Sequence, residues 1–80
     1  MKETWCEKHP GTGSIIIAIV HRIKTISEVH GIYEIEIDKV IYQKPAKPTD
    51  YIWKPGDITA VSTEDLKSPK ETIKFMFEKL

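Results

Sequence analysis

Between Ile15 and Tyr42 the branched aliphatic residues are dense and recur with a period of two. Ile15 to Ile26 is rich in β-branched side chains and has no helical repeat, which predicts a strand. Ile15, Ile17, Ile19, His21 and Ile23 share one side; Ile16, Ala18, Val20, Arg22 and Lys24 share the other. The first half is apolar on both sides and the second half alternates. The strand is therefore expected to start between two layers and to end with one face in water.

Ser27-Glu28-Val29-His30-Gly31 follows as a hairpin loop, with Gly31 free to take a positive φ. Ile32 to Tyr42 then alternates, with Tyr33, Ile35 and Ile37 on one face and Glu34, Glu36 and Asp38 on the other. This predicts a register. Ile26 faces Ile32, Ile23 faces Ile35 and His21 faces Ile37 inside, while Lys24 faces Glu34 and Arg22 faces Glu36 outside. In that register His21 is a neutral, hydrogen-bonded core histidine with no carboxylate beside it.

The rest of the chain reads in shorter pieces. Residues 1–14 mix charges with the turn-rich run His9-Pro10-Gly11-Thr12-Gly13-Ser14 and are expected to be a loop-like lead-in, with Trp5 as its one large apolar anchor. Gln43 to Asp50 carries Pro45 and Pro48 and is expected to be extended loop. Tyr51-Ile52-Trp53 predicts a short strand with both aromatic rings on one face. Lys54-Pro55-Gly56-Asp57 places Pro and Gly at the centre of a type II turn, and Ile58 to Val61 predicts another strand.

The last stretch changes period. Ser68-Pro69-Lys70-Glu71 is a capping box with proline at the first helical position, and Ser62 with Asp65 suits a single earlier turn. Ile73, Met76, Phe77 and Leu80 recur at helical spacing and form one apolar stripe, expected to pack on the hairpin. Phe75 lies off that stripe and is the residue expected to meet a second chain. The prediction is thus an α+β domain over residues 1–80: a small antiparallel sheet or partly open β-barrel built on a hairpin at about 15–42, short strands near 51–53 and 58–61, and an amphipathic helix at about 69–80.

Composition narrows the functional classes. The chain has 80 residues, room for one modest core. Twelve Lys plus Arg balance twelve Asp plus Glu, so the field of a dedicated nucleic-acid binder is missing. A single cysteine, Cys6, cannot form an internal disulfide, which points to a reducing, cytoplasmic setting. The apolar run Ile15 to Val20 falls far short of the roughly 20 residues that span a bilayer, and no export or anchoring signal is expected.

Chemistry is sparse. Cys6 and His9 have the spacing of half a zinc site, but no second pair follows, so no metal is expected. Gly11-Thr12-Gly13 precedes a strand rather than a helix and is not a phosphate loop. Cys6 with His9 lacks a third, orienting group, and Glu34, Glu36 and Asp38 are accounted for by Arg22 and Lys24; no catalytic residues and no cofactor are expected. Pro45-x-x-Pro48 matches the core of a polyproline ligand, though in a compact domain such a segment wraps an edge.

The run Ile16-Ile17-Ala18-Ile19-Val20 with His21-Arg22-Ile23, then Tyr33-Glu34-Ile35-Glu36-Ile37-Asp38-Lys39-Val40 leading into Lys44-Pro45, resembles part of a PUA-like small β-barrel of the ASCH or EVE kind. The likeness covers about thirty residues, and a glycine expected in the first run is replaced by Val20 or His21. It implies binding of RNA or a modified nucleobase, with stacking by Tyr51 or Trp53 and phosphate contacts from Arg22, Lys24, Lys44 or Lys54. The competing reading is a small non-enzymatic module for protein contacts or self-assembly as a homodimer. Neutral net charge favours the second reading.

Overall fold

Among the described residues the chain forms five antiparallel strands and one α-helix: β1 Glu3–Lys8, β2 Ile15–Ser27, β3 Ile32–Lys44, β4 Ile58–Ser62, β5 Leu66–Lys67 and α1 Pro69–Lys79, with a 3₁₀ turn Thr63–Asp65 between β4 and β5. They are seen in a computed structural model that describes residues 2–80. The sheet order is β4-β3-β2-β1-β5. The expected α+β class, with a C-terminal helix on a small antiparallel sheet, is what forms.

The order of the strands dictates the shape of the sheet. Its two edges, β4 and β5, are separated in sequence by only the three residues of the 3₁₀ turn. Four inter-strand gaps of ~4.8 Å would put the edges of a flat sheet ~19 Å apart. The four Cα steps from Ser62 to Leu66 reach at most ~14 Å. The sheet therefore curls, bringing its edges toward each other without closing. Trp5, Ile16, Ala18, Val20, Ile35, Ile37 and Val61 fill the concave side.

Residues 1–14 are not the loop-like lead-in that their composition suggested. Glu3 to Lys8 pairs with β2 from Glu3 opposite Val20 to Lys8 opposite Ile15, and Trp5 and Cys6 are both buried. Successive strand residues face opposite ways, so Trp5 enters the concave core while Cys6 joins Ile15, Ile17 and Phe75 under the helix. The glycine-rich run is the hairpin turn: His9 N–H donates to Ser14 O at 2.9 Å, and Gly13 takes φ +79°. Met1 lies outside the described residues.

The long hairpin forms where expected, but of the five expected pairs only Lys24–Glu34 is kept. Ile23 is an extra residue between Arg22–Ile35 and Lys24–Glu34, and Ile26 is another between Thr25–Tyr33 and Ser27–Ile32. Two more offsets fall at Ile41 and Asp38 on β3. Bulges of this kind raise local twist and bend, which the curled sheet requires. Beyond the Ile23 bulge, Val20 rather than His21 faces Ile37, and His21 faces Glu36. The inner face of β2 is consequently Ile16, Ala18 and Val20; Ile23 and Ile26 are exposed. The expectation that the start of β2 is covered on both faces holds, since Ile15 to Ala18 are all buried.

Residues 51–53 are not a strand; they run as an irregular segment outside β3. Ile58–Ser62 is the expected strand, and Lys54 to Asp57 the expected turn, with Gly56 at φ +92° and Asp57 N–H donating to Lys54 O at 3.1 Å. The helix starts on the expected box: Ser68 Oγ accepts from Glu71 N–H, and Glu71 Oε1 accepts from Ser68 N–H. Its packed face is different. Thr72 and Phe75 are buried, with Met76 beside them, whereas Ile73 and Leu80 are more than half exposed and Phe77 is 89% exposed. Phe75, expected at an interface with a second chain, is part of the core. The buried Thr72 hydroxyl is satisfied by donating to Ser68 O at 2.9 Å, and the Cys6 thiol donates to it at 3.8 Å.

Candidate functional site

The irregular segment Tyr51 to Trp53 is held against the sheet by one side chain. Gln43, near the end of β3, donates from Nε2 to Trp53 O and accepts at Oε1 from Trp53 N–H, both at 2.9 Å. The carboxamide thus substitutes for a strand partner where the backbone is no longer paired. Trp53 is thereby turned edge-to-face onto the buried Trp5, with centroids 5.2 Å apart and planes at 80°. Tyr51 stands in the same relation to Trp53, at 5.0 Å and 80°.

Tyr51 is the open end of this row of rings, at 58% exposure. Its hydroxyl donates to Asp57 Oδ2 at 2.6 Å, and the same oxygen accepts from Lys54 N–H at 2.9 Å. The Tyr51 hydroxyl, and then the Lys54 amide, hold the Asp57 carboxyl below its ordinary range; in return Asp57 pushes the Tyr51 phenol up. The Lys54 ammonium lies 5.8 Å from the Tyr51 ring centroid. Beside the rings is a cavity of about 300 Å³ that Trp5, Tyr51, Trp53, Glu7, Lys44 and Asp50 help to line. Asp50 is fixed there by accepting from the Ala46 and Lys47 amides at 2.9 and 3.0 Å.

Four of the six residues expected from sequence to bind a ligand, Tyr51, Trp53, Lys54 and Lys44, come together here. The other two lie elsewhere. Arg22 is committed to Glu3, with Nε to Oε1 at 2.7 Å and Nη2 to Oε2 at 3.0 Å, and its guanidinium sits 4.2 Å from the Tyr33 centroid. Lys24 faces Glu34 across the hairpin. Gln43 and Trp5 were missed as parts of the site. Trp5 carried only its own size and apolarity as a signal, because Glu3-Thr4-Trp5-Cys6-Glu7-Lys8 sets two apolar residues side by side between polar pairs and does not alternate; Gln43 carried none, because its role is set by a partner ten residues away.

A second, larger cavity of about 620 Å³ lies between β1, β5 and α1, lined by Cys6, Glu7, Asp65, Lys67, Glu71 and Phe75 among others. Burial pushes the Cys6 thiol up, against smaller opposing effects of Thr72 and Lys67, so it is a poor nucleophile at neutral pH. Burial and the neighbouring Asp65 carboxylate push Glu7 up. His9, which the sequence placed near Cys6, accepts at Nδ1 from Thr12 N–H at 3.3 Å.

His21 is the remaining titratable cluster, and it is not the core histidine its strand position suggested. Its Nδ1 lies 3.0 Å from Asp38 Oδ1 and its Nε2 lies 3.7 Å from Glu36 Oε1, with Lys2 Nζ 3.3 Å from Asp38 Oδ2. The bulge at Ile23 turns His21 toward the carboxylates. His21, and then Lys2, lower the Asp38 carboxyl. Among the described residues, no group of three or more His, Cys, Asp or Glu is placed to hold a metal, and no helix is long and apolar enough to cross a membrane. No protein-family model, curated protein or solved structure matches the chain.

Proposed function

We propose that the protein is a small non-enzymatic assembly module that pairs with a second copy of itself through the outer face of α1. The carrying observation is the exposure of Ile73, Phe77 and Leu80, spaced at i, i+4 and i+7 on a helix whose other side is already buried. A phenylalanine presents on the order of 200 Å², so the three side chains leave an apolar patch of the several-hundred-Å² size that marks contact sites.

Charge supports a second copy as the occupant. Lys70, Lys74 and Glu78, four residues apart, follow one flank of the stripe. In a two-fold antiparallel pair the same flanks meet with reversed polarity, bringing Lys70 of one copy toward Glu78 of the other. Lys74, which lies 4.0 Å from Glu78 within its own helix, is free to share that contact. A reducing, cytoplasmic setting suits the free, buried thiol of Cys6. The RNA-binding reading draws less support, because Arg22 is occupied by Glu3 and Tyr33, and carboxylates stand among the cations near Tyr51.

Sedimentation velocity from about 10 μM to about 1 mM, a span that detects weak dimers, tests the proposal. The expected result is a concentration-dependent dimer that Phe77→Asp abolishes without lowering the thermal midpoint of the monomer. A wild-type chain that stays monomeric throughout overturns it.

A further inference from the structure

The aromatic cavity beside Gln43 is a second surface, independent of the helix, and its walls have an unusual relation. Trp53 stands at 80° to both Trp5 and Tyr51. A flat nucleobase stacks on one ring face at a time; a compact, near-spherical group set between perpendicular walls touches several. The charged side chains lining the cavity include two carboxylates, Glu7 and Asp50, against one lysine, Lys44. The Tyr51 ring already has an ammonium, that of Lys54, within cation–π range. A volume of about 300 Å³ is at the small end for ligand sites and suits a head group rather than a dinucleotide.

From these relations we infer that the cavity is a binding site for a methylated ammonium group, with Tyr51 and Trp53 as its aromatic walls, Trp5 behind them, and Glu7 and Asp50 supplying negative potential. The rings contribute through their negative faces, which attract a cation whose methyl groups lower its cost of desolvation. Methylation matters because it removes hydrogen-bond donors that the rings cannot satisfy. Gln43 is a positioning residue: its two bonds to the Trp53 main chain fix the angle of the central ring.

The two tryptophans of the chain are both in this site, so intrinsic fluorescence reports on it directly. The test is a titration of the full chain with choline and, separately, with its neutral carbon isostere 3,3-dimethylbutan-1-ol. Choline is expected to saturate on the order of millimolar and the isostere to bind roughly tenfold more weakly. Tyr51→Ala, at an exposed position, is expected to lose roughly tenfold in choline affinity, and Tyr51→Phe to keep it. An unchanged thermal midpoint in both variants establishes that they are folded.

Peptides carrying trimethyllysine or unmodified lysine identify the source of the group. Trimethyllysine bound tighter than choline assigns the site to a modified protein tail; choline bound as tightly or tighter assigns it to a free small molecule or head group. Equal binding of choline and the isostere, or no saturation by choline or the trimethyllysine peptide, overturns the inference.

Discussion

Gln43 and Trp53 are joined by a reciprocal pair of hydrogen bonds, each 2.9 Å long, between one carboxamide and both polar groups of one residue's backbone. Nothing else in the segment 51–53 pairs with the sheet as a strand does, so the orientation of Trp53 depends on that carboxamide. Gln43→Ala is expected to destabilise the fold by about 1–2 kcal/mol, the effect of two partly buried hydrogen bonds. Gln43→Glu is expected to cost at least as much, since a carboxylate has no proton to offer Trp53 O. Urea denaturation measures both, and amide exchange at Trp53 is expected to accelerate in each variant. Unchanged exchange would show that other contacts hold the segment.

The helix offers a sharper contrast between neighbours of the same type. Phe75 is 9% exposed and Phe77 is 89% exposed. Phe75→Ala is expected to destabilise by about 3 kcal/mol, through lost burial and the cavity left against Cys6 and Ile17. Phe77→Ala is expected to change monomer stability by less than about 0.5 kcal/mol. Chemical denaturation at low protein concentration separates this from any effect on association. Equal costs would mean that the helix is rotated from the orientation described.

What was legible in the sequence is what local chemistry decides. The hairpin strands follow from β-branched density, the Pro55-Gly56 turn from the φ each residue permits, and the helix start from Ser68 and Glu71. The apolar stripe Ile73-Met76-Phe77-Leu80 was also legible, but periodicity does not say which side meets the core, and of these four only Met76 packs beside it. Thr72 and Phe75 won the packed face because β1 presents Cys6, and β2 presents Ile15 and Ile17, on that side of the sheet, and a buried threonine is tolerated once its hydroxyl reaches Ser68 O. β1 escaped because four of its six residues are polar; it is a strand on account of β2 and β5 on either side. The bulges at Ile23 and Ile26 have no local mark. They answer the curl that the short β4–β5 connection imposes. At the aromatic site the rings and lysines were visible one by one, whereas the right-angled arrangement of Trp5, Trp53 and Tyr51 comes from tertiary placement.

The Ile23 bulge predicts which charges are coupled. Arg22 grips Glu3 with two parallel bonds, and Glu36 faces His21 instead. Glu3→Lys is expected to destabilise by roughly 0.5–1 kcal/mol, and Arg22→Glu in the same chain to restore much of the loss. Glu36→Lys combined with Arg22→Glu is expected to show no such recovery. A double-mutant cycle in urea gives the coupling directly. Coupling of Arg22 to Glu36 rather than to Glu3 would mean that the hairpin is in register without the bulge.

Acid titration should separate two carboxylates whose shifts have opposite sign. Asp38 is lowered, chiefly by the hydrogen bond from His21 and then by Lys2. Its contribution is therefore present above the ordinary carboxylate value, about 3.9, and is lost as pH falls through the lower value it has in the folded chain. Glu7 is raised, first by burial and then by Asp65, so its ionised form opposes folding at neutral pH. As pH falls through its raised folded value toward the ordinary one, about 4.3, the folded chain takes up the proton first and that opposition fades. Asp38→Asn is expected to lower the thermal midpoint at pH 7, with the deficit shrinking toward strong acid. Glu7→Gln is expected to raise the midpoint at pH 7, with the gain shrinking as Glu7 in the wild type becomes protonated. Circular dichroism melts from pH 7 downward read both. A Glu7→Gln chain less stable than wild type at pH 7 would show that the Glu7 carboxylate is held by a favourable contact instead of crowded by Asp65.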